Sequence, residues 1–254
     1  MERSLLEFDH VFMRYHTPEG ETTVLEDFSL RVQPGELVAL LGPSGCGKST
    51  VLSLAAGLLR PDEGRVLLRG EEITAPPARM GYMLQRDHLF EWLTVRGNAL
   101  VGLKVRHKPT REKLEYIDAL IRSCGLGDFA DSLPAQLSGG MRQRAALVRT
   151  LAVKPEFLLL DEPFSALDAQ TRIQLADEVK ATLTGDDRAA ILVTHDVAEA
   201  ISMADRVVVF TGRPARIRAE HGIDLPGGPM QRRREKRFQD YFDLIWKELN
   251  VHVQ

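Results

Sequence analysis

Cysteine is nearly absent from this sequence. Its two copies, Cys46 and Cys124, cannot build a disulfide framework, and the seven histidines show no close Cys/His spacing of the kind that holds zinc. A reducing compartment is implied, and a chain of 254 residues can bury enough surface to need neither crosslink nor metal staple. A positive excess is missing too: 33 Lys+Arg stand against 36 Asp+Glu, a formal net charge of −3. This argues against nucleic-acid binding by bulk electrostatics and leaves only a local basic patch open. Long apolar runs are also lacking. Leu37–Leu41 and Val51–Leu59 fall well short of the ~18–20 residues that span a bilayer, and the start, Met1 to Phe8, has no apolar stretch like that of a secretory signal. Any membrane work must pass through partners. Internal repeats and low-complexity segments are absent. What is present is ordinary soluble composition, 44% hydrophobic, at a length that suits one large domain or a domain with a subdomain.

The first third alternates like strands at Leu6–Phe8 and Phe28–Val32, then gives the unbroken apolar run Leu37–Leu41. Alternation suits an antiparallel sheet with one wet face, and an unbroken run suits a parallel strand buried on both faces. A Gly-rich turn follows, then an apolar helix Ser49–Leu58, stopped by Gly57 and Pro61. From about Arg86 to Leu151 the pattern turns helical, with a period in Leu114, Ile117, Leu120 and Ile121 and a further helix from Gly140 to Leu151. Strands return at Phe157–Leu160, Ala190–Val193 and Val207–Phe210, separated as βα units require. The expected architecture is an α/β core with an antiparallel β subdomain, interrupted by a helical subdomain at about 86–151. Residues 1–213 form the domain and 214–254 a C-terminal extension. In that extension a helix over Gln231–Leu249 places Phe238, Tyr241, Phe242, Ile245 and Leu249 on one face, suited to docking on its own domain. The run Arg232–Arg237 reads as a solvated face, with contact to lipid headgroups or a partner as the alternative.

Gly42-Pro43-Ser44-Gly45-Cys46-Gly47-Lys48-Ser49 fits the phosphate-loop pattern, two glycines bracketing four residues before Lys and a hydroxyl. Between an apolar strand and an apolar helix, its backbone N–H groups and the helix N-terminus converge on an anion. Lys48 can then reach the β- and γ-phosphates, Ser49 can ligate Mg²⁺, and Thr50 is available to an α-phosphate. Cys46 is a backbone position in this loop. A second feature is Phe157-Leu-Leu-Leu160-Asp161-Glu162, an apolar strand ending in two carboxylates where an α/β sheet binds ligand. Asp161 suits Mg²⁺ through its water shell, and Glu162 suits the water attacking the γ-phosphate.

Leu137-Ser138-Gly139-Gly140-Met141-Arg142-Gln143-Arg144 resembles the signature motif of ATP-binding cassette (ABC) proteins, and lies between the phosphate loop and the acidic strand as in that family. The order of elements matches over almost the whole chain, which implies the ABC form of the P-loop NTPase fold, with ATP and Mg²⁺. By this resemblance Tyr15 stacks on adenine, Gln85 joins the core to the helical subdomain at the metal, Ser165–Asp168 is the loop after the acidic strand, and His195 follows the next strand. His195 could hydrogen-bond the γ-phosphate or the attacking water. Ser138, Gly139 and Gly140, ahead of a helix, offer a hydroxyl, close backbone approach and a positive helix end. In the family that surface serves the nucleotide of a second copy, so two chains face head to tail. Two departures stand out. Met141 replaces a common Gln and cannot reproduce an amide hydrogen bond to ribose. Glu91-Trp92 replaces the Pro-Trp of the subgroup that imports nitrate, sulfonate, taurine and related solutes, to which 85–95 and 193–206 are similar.

The resemblance thus implies an importer ATPase at the cytoplasmic face of the membrane. Its partners are a second cassette, transmembrane permease subunits and, indirectly, an extracytoplasmic solute-binding protein. Phe90 and Trp92 are either permease contacts or core aromatics. The alternative, a soluble ABC ATPase acting on DNA or the ribosome, is disfavoured because each motif occurs once and no heptads are sustained. A regulator without turnover is disfavoured by the presence of Lys48, Glu162 and His195.

Overall fold

In the computed structural model, the described residues are 4–18, 20–106, 110–183 and 188–250. The first three residues of the start read above lie outside them.

Two long antiparallel strands open the chain, β1 (Leu6–Thr17) and β2 (Gly20–Val32). Their alternation is legible only at the ends because the register slips repeatedly between Phe8 and Arg14, with His10 and Asp27 at positive φ. Each slip flips the side chains that follow to the other face. β3 (Leu37–Leu41) is buried at all five positions. It is followed by α1 (Lys48–Ala55), which ends three residues before Leu58, itself exposed. β4 (Glu63–Leu68) and β5 (Glu71–Glu72) complete a four-stranded sheet in the order β2-β1-β4-β5.

β6 (Met80–Met83) has no signal in the sequence, because four residues, one of them glycine, carry no strand pattern. The helical part begins at Val95, nine residues later than Arg86, with Thr94 accepting the Gly97 N–H at 3.0 Å as the cap of α2 (Val95–Val105). α3 (Arg111–Ser123) and α4 (Gly139–Leu151) follow. Ile117, Leu120 and Ile121 are buried as their period requires, whereas Leu114 is exposed at the start of the stripe. The chain continues with β7 (Phe157–Asp161), α5 (Ala169–Leu183), β8 (Ala189–Val193), α6 (Val197–Met203), β9 (Arg206–Phe210) and β10 (Ile217–Gly222).

The six-stranded sheet has the order β10-β9-β3-β8-β7-β6, parallel except where β10 runs antiparallel to β9. β3 explains why its run has no polar break. Leu37, Ala39 and Leu41 face a core shared with the helical layer, while Val38 and Leu40 face a core shared with β1, β2 and α1. Register places Leu40 and Asp161 both opposite Val193, so β3, β7 and β8 end side by side.

The helix expected over 231–249 is instead two: α7 (Pro229–Arg232) and α8 (Arg237–Asn250). The five residues of the expected face do pack on the core, with Ile245 fully buried. The basic run is not uniformly solvated, because Arg232 turns inward and donates to Ala204 O at 2.6 Å and Asp205 at 3.3 Å. Among the described residues no helix is long and apolar enough to cross a membrane.

Candidate functional site

One cleft gathers most of the singled-out residues at the carboxyl ends of the parallel strands. Its walls include Tyr15, Ser44, Gly45, Gly47, Lys48, Ser49, Thr50, Gln85, Asp161, Glu162 and His195. This is where an open α/β sheet binds ligand. α1 starts on Gly47 at φ 128, and no side chain caps it. A Cβ there would lie 2.9 Å from Val24, so only glycine lets the loop turn this tightly against β2. The first N–H groups of α1 are therefore left to a ligand. Lys48, largely buried, donates to the carbonyls of Gly42 and Pro43 at 2.7 and 2.9 Å. Gly42, Pro43 and Cys46 are not part of the cleft wall. Cys46 is buried, with Sγ 3.8 Å from the Lys48 amine.

Across the loop, burial raises the carboxyl pKa of Asp161, against the pull of a Ser49 hydrogen bond and the nearby Lys48 charge. Glu162 sits at φ 48, an uncommon conformation for a side chain with a Cβ and of the sort that clusters at functional sites. Its N–H donates to Val193 O at 2.9 Å, which ties β7 to β8. Its carboxylate is approached from both flanks: Gln85 Nε2 donates to one oxygen at 3.2 Å, and His195 Nδ1 lies 3.5 Å from the other. Tyr15, on β1, rims the cleft with its hydroxyl 3.3 Å from Thr50 Oγ1.

The remaining residues lie apart. Ser138 caps α4, accepting the Met141 N–H at 3.3 Å, and Gly139 lines a second hollow with Gln85, Asp87, Glu91 and Arg142. Gly140 is squeezed, since a Cβ would stand 3.2 Å from Ala166 O. Asp168 accepts from the Gln170 and Thr171 N–H groups at 3.1 and 3.0 Å, ahead of α5, and is outside the cleft. Those bonds hold its carboxyl below the usual range.

Three residues in the site were missed. Gln143, buried in α4, donates to Glu162 O at 3.0 Å and accepts the Ala166 N–H at 2.9 Å, joining the signature helix to the acidic loop. It lies within the signature run, where sequence spacing gives it no partner. Arg142 makes a two-pronged pair with Asp87 at 2.9 and 3.0 Å and reaches Glu91 at 2.6 Å, and the pairing holds Asp87 low. Glu91, noted as a departure, is thus matched by a cation on α4. Arg213, a cleft wall from the turn after β9, the strand beside β3, had no local signal.

The residues present suit a nucleoside triphosphate: an uncapped helix start, a lysine, a hydroxyl, and two carboxylates on one strand end. Fold and cleft together define a P-loop ATPase. Residues 25–165 match the model of the ABC transporter family. YtlC of Bacillus subtilis (strain 168), an uncharacterised ABC transporter ATP-binding protein, is 45% identical over 250 residues, 97% of this chain and 96% of that protein. The taurine import ATP-binding protein TauB of Roseobacter denitrificans is 38% identical over 251 residues, 95% of this chain and 94% of that protein. Among solved structures, the dimeric post-hydrolysis state of the cassette MJ0796, bound to ADP and Pi, matches with a TM-score of 0.78 and 27% identity, covering 86% of this chain and 98% of that one. The chain belongs to the ABC transporter family, as one of its ATP-binding subunits.

Proposed function

We propose that this subunit powers an ABC importer for a small solute of the taurine, nitrate or sulfonate kind, or a vitamin precursor. It works at the cytoplasmic face of the membrane, paired with a second cassette and a permease, with a solute-binding protein acting indirectly. The observation that carries the catalytic reading is the convergence of Gln85 and His195 on the Glu162 carboxylate, beside Lys48, Ser49 and Asp161.

In this reading Lys48 and the α1 N–H groups bind the β- and γ-phosphates, and Tyr15 holds the adenine. Ser49 and Asp161, with Gln85 at the edge, would hold Mg²⁺, which when bound neutralises charge on the transferred phosphoryl group. Glu162 accepts the proton of the attacking water, and Gln85 and His195 orient its carboxylate. Ser138, Gly139, Gly140 and Asp168 serve the second cassette's nucleotide, consistent with their lying outside this chain's own cleft. Binding that is tighter in the closed pair than in the open one supplies the work.

The permease contact is assigned to the hollow between Gln85 and α4. Trp92 is 74% exposed and packs 5.3 Å from Phe90, which places it at the surface rather than in the core. Copurification decides the class. The tagged chain, coexpressed with its neighbouring permease genes, should be recovered from detergent-solubilised membranes with the permease, and Trp92→Ala should reduce that recovery. Recovery with ribosomes or DNA instead would favour the soluble alternative.

A further inference from the structure

Arg213 belongs to no motif read from the sequence, and the parallel pairing of β9 with β3 brings it to the phosphate loop. It lies in the turn between β9 and β10, and that turn is pinned. The Thr211 N–H donates to Arg216 O at 3.0 Å, Thr211 Oγ1 accepts the Arg216 N–H at 3.0 Å, and the Ala215 N–H donates to Val24 O at 2.8 Å, burying Ala215 against β2. From this anchorage the guanidinium crosses to Gly45, where Nη2 and Nε donate to the carbonyl oxygen at 2.6 and 3.2 Å. The side chain then forms part of the cleft wall.

Two features make this more than a surface contact. The Gly45 carbonyl lies in a loop of the kind that turns backbone N–H groups toward an anion, and clamping a carbonyl fixes the plane of the peptide that bears it, here together with the Cys46 N–H bond to Pro43 O at 3.3 Å. In addition, the charge is not spent. Among the described residues Arg213 has no carboxylate partner, whereas Arg216, three residues on, is paired with Glu26 at 2.8 Å. Lys48 holds the Gly42 end of the loop and Arg213 the Gly45 end, so two cations grip one loop.

We infer that Arg213 is a positioning residue of the nucleotide site, gripping the phosphate loop at Gly45 and adding an unpaired positive charge that raises affinity for nucleoside di- and triphosphates. The inference rests on reading this cleft as the nucleotide site. The test compares Arg213→Ala, Arg213→Gln, Arg213→Lys and Lys48→Ala in the full chain, by calorimetric titration with ATP and ADP and by hydrolysis rates. Arg213→Ala should weaken both nucleotides about tenfold, the scale of one charge-assisted hydrogen bond. The loss should appear in KM, with kcat at saturating ATP falling much less, and should shrink as salt is raised. Arg213→Lys should restore most of the affinity, and Arg213→Gln, which keeps a donor for Gly45 but no charge, should not. The inference is overturned if Arg213→Ala binds ATP within twofold of the parent, or if Gln restores binding as well as Lys does. A destabilised Ala variant leaves the Lys-against-Gln comparison to decide. Loss of binding in Lys48→Ala with none in the Arg213 variants overturns this inference alone. Normal ATP binding by Lys48→Ala would overturn the reading of the cleft itself.

Discussion

Two glycine-rich helix starts in this chain look alike in sequence and differ in what surrounds them. α1 begins on Gly47 with no side-chain cap, and Lys48, Ser49, Asp161 and Glu162 stand around it. α4 begins on Ser138, whose hydroxyl already caps it, and the nearby cation, Arg142, is paired with Asp87 and Glu91. The first start gathers a lysine and two carboxylates in one cleft, the set that the proposed hydrolysis requires. The second has only a helix end and close backbone approach. A helix start whose cation is already paired and that has no base beside it needs another molecule to bring the rest, which supports the proposal of a composite site.

The comparison breaks most sharply at Glu162. Glu162→Gln should keep ATP binding and lose about 10²-fold or more in turnover, leaving an ATP-bound dimer visible by size-exclusion chromatography. Hydrolysis at the parental rate would remove Glu162 as the base and make the two helix starts more nearly equal. At the other start, Ser138→Arg should abolish cooperative hydrolysis while a monomer binds ATP with parental affinity. If such a monomer hydrolyses ATP at full rate, α4 has no part in the reaction.

A smaller effect concerns a third helix start, α6, where Asp196 caps and Glu199 is buried in the first turn behind His195. Burial pushes the Glu199 carboxyl up to about 7, the nearby Asp196 charge adds to this, and Thr194, Arg172 and Arg233 oppose it. Its Oε1 has no hydrogen-bond partner among the described residues. A carboxyl raised in the folded state favours folding below its unfolded value and loses that contribution as pH climbs through 7. The native state should therefore lose on the order of 3 kcal/mol from this group between about pH 4.5 and pH 8. Glu199→Gln should flatten that part of the pH dependence of Tm, and an unchanged difference between pH 5 and pH 8 would show that Glu199 is not the group responsible.

The sequence made the phosphate loop legible because its spacing is local: strand, turn and helix lie within about twenty residues, and each residue type is dictated by a backbone or charge requirement. The acidic strand was legible for the same reason. β6 and the interior of β1 and β2 were hidden, since a four-residue strand and a bulged ladder leave no period to read. The break between α7 and α8 was hidden because the charged run Arg233–Lys236 between them carries no glycine or proline to mark a stop.

Local chemistry by itself determined a phosphate-loop pattern at Gly42–Thr50, two carboxylates after Leu160, and a second glycine-rich helix start at Ser138. Only the tertiary structure decided which of these meet. Register aligned Asp161 with the end of β8, positive φ at Glu162 put its carboxylate between Gln85 and His195, and β10's return brought Arg213 over Gly45. These are contacts between residues up to 168 positions apart, set by strand pairing rather than by any neighbour in sequence.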